Sequence, residues 1–353
     1  WVAGEWPETN EGKAALESLI VVLESADLEH ISDTFDSMHA VKGDSLRPIV
    51  PVLLQRERES PKHPCAAKLL TEFCLFLAPD NGTALPDQFG EIADVIVERH
   101  AKSPKLANFC ELLGGMEWSP PWAAPFEPHL RRILEVNEDR FVRCSAKIAL
   151  ASIIQESGED RQSEAAELFE EFLTEFDGKV KYHASSIEEM YREVAKRELK
   201  VIVSHGLGAK APETIGLDLN GEKMALADYQ GKVVLITFWA TWCSPCMRMI
   251  PNEKALLKHF GKDGFAIVGV NSDTKVQSAR EAVKKHEIPW RSFQNSNDGQ
   301  NKISSRWRIP GYPTFYLLDS NGIVRKRWFG EQAVGVIAET IVRLMQKVAS
   351  QQE

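Results

Sequence analysis

Few cysteines and no long hydrophobic run are the first features of this sequence. Six cysteines in 353 residues are too few for a disulfide-stabilised scaffold. Because no stretch of 18 apolar residues occurs, the sequence predicts no membrane-spanning helix. Basic residues form no dense patch, so we do not expect nucleic acid as a partner. The length, with a hydrophobic fraction of 43% and a charged fraction of 26%, is typical of a globular protein of two or three domains.

An initiating methionine is also absent, because the sequence begins with Trp1. We therefore expect that the natural N-terminus has been removed, by processing or by design. Any export signal would then lie outside this sequence.

Charge is distributed unevenly along the chain. Residues 1–200 carry 22 basic and 37 acidic side chains, a net charge of −15, whereas residues 201–353 carry 20 and 14, a net charge of +6. This asymmetry favours two bodies with different surfaces, and it would permit electrostatic docking of one on the other. The alternative, that the charged helical faces are only solvated, stays open.

The first 200 residues have the hydrophobic periodicity of helices. Helices are predicted over residues 12–27, 66–77, 89–101, 105–116, 139–155, 161–176 and about 185–200. The pair at 139–155 and 161–176 is joined by a short polar turn and resembles one tetratricopeptide-like hairpin, but three repeats of fixed period are not found. The proline-rich residues 117–128 predict a linker or a long turn.

Near residue 205 the pattern changes to alternating strands and helices. Strands are predicted in hairpins at 216–226 and 314–329 and in buried runs at 232–240 and 265–271, and helices over 246–260, 274–287 and 333–349. This order indicates an α/β layer fold with a mixed sheet. The predicted domains are residues 1–118, residues 119–204, which could continue the first, and residues 205–353.

The stretch FWATWCSPC places Cys243 and Cys246 two residues apart. A zinc site would need further ligands, but no second Cys-x-x-Cys follows and His259 and His286 are isolated, so we expect no metal. A structural crosslink across two residues would remove little chain entropy. A reactive dithiol fits the pattern best.

The dithiol lies between a predicted buried strand and a predicted helix. Pro245 suits the first helical position, because its missing N–H costs nothing there. Cys243 would then lie at the helix N-terminus, where free N–H groups and the helix dipole favour a thiolate. Cys246 would lie one turn inside and be less accessible. We therefore expect Cys243 to be the attacking thiol and Cys246 the resolving thiol.

These residues also carry a family resemblance. FWATWCSPC resembles the active-site strand and turn of the thioredoxin superfamily, and RWRIPGYPTFYLLD resembles its second signature, a cis-proline before a strand. With GAKAPETIGLDLNGEKMALADYQGKVVLITFW, they are similar to the TlpA/ResA-like branch of exported, often membrane-tethered thiol-disulfide oxidoreductases. The resemblance covers about residues 206–350. The helical half followed by this module also resembles multidomain thioredoxin-like proteins of planctomycete type.

The resemblance implies an α + α/β protein, in which a helical region precedes a thioredoxin-like α/β sandwich with a mixed sheet and an N-terminal β-hairpin. It implies that Cys243 and Cys246 are the redox pair and that Trp242 shields them. It also implies that Pro313 is a cis-proline facing the disulfide, and that the backbone of Tyr312 pairs with an extended substrate segment. The aromatic residues expected in the core are Trp239, Trp307 and Phe315.

The sequence departs from the family pattern at two positions. Thioredoxin-like proteins often have a buried acid where this chain has Thr237, and the TlpA/ResA-like branch often has a glutamate where this chain has Met249. Both usual proton acceptors for Cys246 are therefore missing. Glu253 could substitute one helical turn later, or water could serve.

The expected function is thiol-disulfide exchange with protein disulfide or dithiol substrates, without an organic cofactor or a metal. Of the two directions, reduction of the partner is favoured. The resemblance implies export to the periplasm or cell envelope and a membrane thiol carrier as electron donor. One alternative is an interaction module with a secondary redox role. Another is a thiol peroxidase, although Ala240 occupies the position where peroxiredoxins usually have threonine.

The remaining cysteines are expected to be structural. Cys74 and Cys144 lie on apolar stripes and should be buried thiols. Cys65 and Cys74 would lie on opposite faces of one helix, so we expect no bond between them. Any partner of Cys65 or Cys110 stays open at this point.

Overall fold

The computed structural model describes residues 44–79, 85–114, 119–295 and 302–349. The chain forms two compact units, one comprising Trp1–Ile154 and Glu171–Arg192, the other Gln155–Glu170 and Glu193–Glu353. The predicted domain boundaries remain predictions, although the predicted change of pattern near residue 205 coincides with the end of a helix at His205. Within the described ranges, no helix is long and apolar enough to cross a membrane.

The described chain begins with helices. They are α1 (Val50–Glu59), α2 (Ala66–Leu77), α3 (Asp87–His100), α4 (Ala107–Gly114), α5 (Glu127–Val136), α6 (Arg140–Ser157), α7 (Gln162–Glu175) and α8 (Ser185–His205). The helices predicted from residue 66 to residue 200 are therefore confirmed, whereas the one predicted over 12–27 lies outside the described residues. A tetratricopeptide-like repeat stays a prediction.

The proline-rich stretch is helical from residue 121 onwards, so the predicted linker or long turn is wrong over residues 121–128. Pro121–Phe126 form a 3₁₀-helix, and α5 begins at once with Glu127 and Pro128 in its first turn. Proline lacks an N–H and has a fixed φ, and both properties are tolerated where the N–H groups of a helix have no partner. Pro121 and Pro128 therefore lie in the first turns of these two helices.

Close packing in the first unit depends on a glycine. Gly114 ends α4, and a Cβ on it would lie 2.4 Å from the Cα and Cβ of Ala149 on α6. Only glycine lets the two helices approach this closely. The predicted apolar stripes are buried, as Cys144 and Ile148 on α6 and Phe172 on α7 illustrate.

The second unit contains a five-stranded mixed sheet and a two-stranded hairpin. Its strands are β1 (Ile215–Leu217), β2 (Lys223–Ala225), β3 (Val233–Trp239), β4 (Phe265–Asn271), β5 (Ser292–Gln294), β6 (Thr314–Leu318) and β7 (Val324–Phe329). Its helices are α9 (Ser244–Phe260), α10 (Val276–His286), α11 (Ile303–Arg306) and α12 (Val334–Ala349). The larger sheet has the order β5-β4-β3-β6-β7, with β3, β4 and β5 parallel and β6 antiparallel to both its neighbours.

Most elements of this unit match the prediction, including the hairpin β1–β2, where Gly221 has a φ of +87°. The predicted mixed sheet is confirmed, and β3 and β4 are buried throughout. Two elements were not predicted, β5 and α11. They have three and four residues, which is too short to establish a hydrophobic period.

The two faces of β3 contribute to separate hydrophobic clusters. Leu235 and Trp239 belong to the cluster that contains Cys243 and Cys246. Ile236 and Phe238 belong to the cluster on the opposite face. Successive side chains on a strand alternate between faces, so Thr237 lies on the same face as the two cysteines.

A buried ion-pair network lies on β7. Arg327 pairs with Glu156 and with Glu198 at 2.8 Å each, and Arg327 and Glu198 are only 5% and 3% exposed. Burial alone would raise the pKa of Glu198, but Arg327 and Arg197 together hold it below its usual range. Glu156 and Glu198 come from segments that precede the sheet in the chain, so this network fixes those segments to β7.

The outer edge of β7 is partly occupied. Gly208 N–H donates to the carbonyl of Val324, and Val324 N–H donates to the carbonyl of Ala209, at 2.8 and 2.9 Å. The chain before β1 therefore adds a short antiparallel pairing to the beginning of β7.

Candidate active site

The Cys-x-x-Cys motif lies between β3 and α9, at the end of the buried strand. Cys243 is the N-cap residue of α9, and Ser244 and Pro245 are its first two helical residues. Pro245 is therefore second in the helix, one position later than predicted, where an N–H would still lack an intrahelical partner. Cys243 and Cys246 are joined by a disulfide, with 5.3 Å between their Cα atoms.

The helix start provides a hydrogen bond to the first sulfur. The backbone N–H of Cys246 donates to Sγ of Cys243 at 3.2 Å. In the reduced protein, a thiolate at Cys243 would keep this donor and would lie at the positive end of the dipole of α9. The local geometry therefore favours ionisation of Cys243.

Both cysteines are nearly buried in this oxidised state. Cys243 is 5% exposed and Cys246 is 3% exposed, so the expected contrast between an accessible and an inaccessible sulfur is small. The physical reason is packing, because both lie in one hydrophobic cluster with Trp239, Met249 and Phe315. Access to Cys243 therefore depends on the loops beside it.

The loop before β6 lies next to the motif. Phe238 pairs with Thr314, so Pro313 lies at the same edge of the sheet as the cysteines. The bond between Tyr312 and Pro313 is cis. Trp242 is 63% exposed, and its ring contacts that of Tyr312 edge to face with 5.4 Å between centroids. Trp242, Tyr312 and Pro313 therefore lie at the same end of the sheet as the disulfide, and their role in binding a substrate stays a prediction.

A buried carboxyl group lies on the same helix as the disulfide. Glu253 follows Cys246 by two turns on α9 and is 3% exposed. Seven residues bring the two side chains to the same face of the helix, about 10 Å apart along its axis. Helical side chains lean towards the helix N-terminus, so the Glu253 side chain leans towards the end of α9 that carries Cys246.

Thr237 on β3 hydrogen-bonds to this carboxyl group. Burial raises the pKa of Glu253 to about 7, and the hydrogen bond from Thr237 acts in the opposite direction. Thr237, which stands where thioredoxin-like proteins often have a buried acid, therefore contacts an acid that comes from α9, Glu253. Met249, at the branch's usual glutamate position, is fully buried, and its sulfur accepts from the N–H of Gln332 at 3.5 Å.

Comparison with known proteins identifies the family. Residues 207–327 match the AhpC/TSA family. A thiol-disulfide oxidoreductase ResA of Bacillus cereus is 31% identical over 126 residues, which are 36% of this chain and 71% of that protein. This chain belongs to the ResA-like thiol-disulfide oxidoreductases of the thioredoxin superfamily.

Two other proteins are similar to this ResA-like oxidoreductase over a comparable share of its chain. The thioredoxin-like protein YneN of Bacillus subtilis (strain 168) is 31% identical over 143 residues, 38% of this chain and 76% of that protein. The solved thioredoxin domain of a thiol-disulfide oxidoreductase from Bacteroides vulgatus is 26% identical, with a TM-score of 0.37, over 40% of this chain and 99% of that chain.

Sequence reasoning missed the hydrogen bonds that hold the active-site turn of this ResA-like chain. The N–H and hydroxyl of Thr241 donate to the carboxylate of Asp273 at 3.1 and 2.7 Å. Asn271 also donates to Asp273, at 2.8 Å. The signal was present, because polar residues that directly follow a buried strand parallel to β3 lie at the edge where β3 ends.

A second network holds the cis-proline loop. The hydroxyl of Tyr312 donates to Ser272 at 2.8 Å, and the amide of Asn295 donates to Ser272 and to Ser304 at 2.9 and 2.8 Å. These residues are distant in sequence, and no local pattern could have joined them.

The other candidate residues of the ResA-like chain lie away from the disulfide. His259 and His286 are on α9 and α10, as predicted, and in the described part of the chain no group of three or more potential metal ligands occurs. The four remaining cysteines, Cys65, Cys74, Cys110 and Cys144, are free thiols. The predicted burial of Cys74 and Cys144 is confirmed, and burial raises the pKa of both thiols, so neither is a good nucleophile.

Proposed function

We propose that this oxidoreductase exchanges disulfides with partner proteins through Cys243 and Cys246, and that it acts mainly as a reductant. The observation that carries the proposal is the disulfide at the start of α9, with the N–H of Cys246 donating to Sγ of Cys243. The same geometry would stabilise Cys243 as the thiolate that attacks.

The reaction has two exchange steps. The Cys243 thiolate attacks one sulfur of a partner disulfide, forming a mixed disulfide and releasing the other partner sulfur as a thiolate. Cys246 then loses its proton and attacks Sγ of Cys243, so the mixed disulfide breaks and the second partner sulfur leaves as a thiolate. Two electrons pass to the partner, which takes up two protons, and the Cys243–Cys246 disulfide forms.

Glu253 is the proposed acceptor for the proton of Cys246. It lies on the same helical face, it is buried, and Thr237 hydrogen-bonds to it. A carboxyl group with a pKa of about 7 can take up and release a proton near neutral pH. In the opposite direction, the same group would return the proton to Cys246.

Trp242, Tyr312 and Pro313 form the proposed contact surface for the partner. An extended segment could pair with the backbone of Tyr312, since in the described part of the chain neither the N–H nor the carbonyl of Tyr312 makes a hydrogen bond. Trp242 would cover the partner segment from the other side, because its ring is largely exposed.

The proposed location is the periplasm or cell envelope, with a membrane thiol carrier as electron donor. Membership of the ResA-like family supports this proposal. The direction of the reaction is tested by the reduction potential of the Cys243–Cys246 couple, measured by equilibration with glutathione buffers. A potential near about −270 mV supports a reductant, and one near about −120 mV supports a disulfide donor.

Insulin reduction by the full-length protein in dithiothreitol tests the roles of the cysteines. We expect Cys243→Ser to be inactive and Cys246→Ser to accumulate a mixed disulfide through Cys243. Cys65→Ser is the control, because Cys65 is a free thiol of the first unit. An active Cys243→Ser variant, or a mixed disulfide through Cys246, would contradict the assignment.

Insulin reduction tests the first alternative, and a separate peroxide-turnover assay tests the second. An intact protein that reduces no disulfide would favour the interaction module. Turnover of hydrogen peroxide without a second protein would favour the thiol peroxidase, which Ala240 argues against because it has no hydroxyl group.

A further inference from the structure

A basic groove of about 390 Å³ lies beside the cis-proline loop in the second unit. Helix α8 contributes Lys196, Arg197 and Lys200 to its wall, and the chain after α11 contributes Arg308. Tyr312, proposed above to bind the partner backbone, belongs to the same wall. The groove therefore continues the proposed contact surface away from the disulfide.

Charge in the groove is unbalanced. Four of its residues are cationic, and Glu193 is its one acid among the lining residues. Lys196 pairs with Glu193 at 2.5 Å, and Arg197 pairs with Glu198 at 2.9 Å. These two cations therefore already have carboxylate partners within the protein.

The other two cations, Lys200 and Arg308, are exposed. In residues 44–79, 85–114, 119–295 and 302–349 neither of them forms an ion pair. They come from different elements and meet at one groove, so their charges add there. An anionic group in the groove would find two cations that it need not share with an internal carboxylate.

The backbone conformation of Arg308 follows from its place just after α11. Its φ is +49°, in the left-handed region that suits glycine and disfavours residues with a Cβ. Its N–H donates to the carbonyl of Ser305 and that of Ile309 to the carbonyl of Ser304, the bonding of a left-handed residue that ends a helix. A glycine at this position would keep the backbone conformation and remove the charge.

We infer that this groove selects partner proteins that carry acidic residues beside their redox-active cysteine. The inference rests on the proposed function, because it assumes that a partner segment lies along Tyr312 and Pro313. A polypeptide is favoured over other polyanions, since the groove continues from a loop suited to an extended peptide backbone. Opposite charges would mainly speed the encounter, so the selection should appear in the rate of mixed-disulfide formation.

The test uses two disulfide peptides that differ only in the residues flanking the cysteine, aspartate and glutamate in one, serine and glutamine in the other. Reduced full-length protein reacts with each peptide in a stopped-flow instrument, and tryptophan fluorescence reports the second-order rate constant. We expect the acidic peptide to react about 10-fold faster at low ionic strength. This ratio should fall towards unity in about 0.5 M salt.

Two variants remove the unpaired charges, and one serves as a control. Arg308→Gly removes the cation and suits the positive φ, so the backbone is preserved. Lys200→Glu reverses an exposed charge on α8. Lys285→Glu is the matched control, because Lys285 is exposed near the end of α10 and does not line the groove.

We expect Arg308→Gly with Lys200→Glu to reduce the ratio of the two rate constants to about 1 or below, and Lys285→Glu to leave it as in the wild type. A wild-type ratio near 1, or a ratio that the double variant retains, would overturn the inference while the proposed function stands. If neither peptide is reduced, the proposed function itself fails. If a short RNA or anionic lipid vesicles inhibit both peptides and a cysteine-free acidic peptide does not, the groove binds another polyanion and the inference is wrong.

Discussion

Glu253 offers the sharpest test of how this site handles protons. Glu253→Gln replaces the buried carboxyl group by a neutral amide of similar size. The amide oxygen can still accept a hydrogen bond from Thr237, so the packing around α9 should be kept. What the substitution removes is the ability of this position to ionise.

The magnitude follows from the pKa. Burial raises the pKa of Glu253 from 4.5 to about 7, a shift of about 2.5. At about 1.4 kcal/mol for each pKa unit, ionisation of Glu253 destabilises the folded protein by about 3 kcal/mol. The pKa of Glu253 is higher in the folded than in the unfolded protein, so its contribution to the stability of the fold is fully present below pH 4.5. This contribution is lost as the pH rises from 4.5 to 7, and above pH 7 it no longer changes.

Urea unfolding of the full-length wild type and of Glu253→Gln from about pH 4 to about pH 9 measures this effect. In the difference in unfolding free energy between the two proteins, the pH-dependent contributions of all other ionisable groups cancel. As the pH rises from about 4 to about 9, we expect the unfolding free energy of Glu253→Gln to increase by about 3 kcal/mol relative to that of the wild type. Glu281→Gln, at an exposed position on α10, is the matched control and should give a difference independent of pH.

Kinetics provide the second readout. The resolving step, observed in single turnover, should follow a pH profile with a midpoint near 7 in the wild type. Glu253→Gln should slow this step about 10-fold or more at neutral pH and remove that midpoint. A stability difference that does not vary with pH, together with an unchanged kinetic profile, would refute the role of Glu253.

Three further substitutions test the surrounding structure. Thr237→Val removes the hydrogen bond that opposes the raised pKa of Glu253, so the kinetic midpoint should move to higher pH. Gly269→Ala should lower the free energy of unfolding by about 1–3 kcal/mol in urea, because a Cβ would lie 2.0 Å from Oγ of Ser292; no change would contradict the close packing. Arg327→Met should lower the free energy of unfolding by about 3–5 kcal/mol, since it leaves Glu198 buried without its main partner. An unchanged midpoint of thermal unfolding would contradict this expectation.

The sequence was informative where structure depends on short-range patterns. Continuous apolar runs predicted β3 and β4, and helical periodicity predicted α2, α3 and α6. The two cysteines could be placed at a helix start because a buried strand, proline and helical spacing occur within a few residues. In all these cases the determining residues are neighbours in the chain.

The prediction was incomplete where distant segments meet. The bonds from Thr241 to Asp273 and from Tyr312 to Ser272 join residues more than 30 positions apart. The near burial of Cys243 depends on side chains from several elements, so helix position alone suggested too open a site. Glu253 was found as a candidate, but its contact with Thr237 required the packing of α9 on β3.

The pairing along β7 has a consequence for the handling of unfolded clients. An oxidoreductase meets extended, incompletely folded chains, and an open sheet edge invites such chains to attach by strand addition. Here the beginning of that edge is occupied by Gly208 and Ala209. Further along β7, Arg325, Lys326 and Arg327 are held in ion pairs with Glu159 and Glu156, whose side chains cover the strand. An unfolded client protein is therefore hindered from adding a strand to this edge, and it can approach at the end of the sheet where the cysteine sulfurs lie.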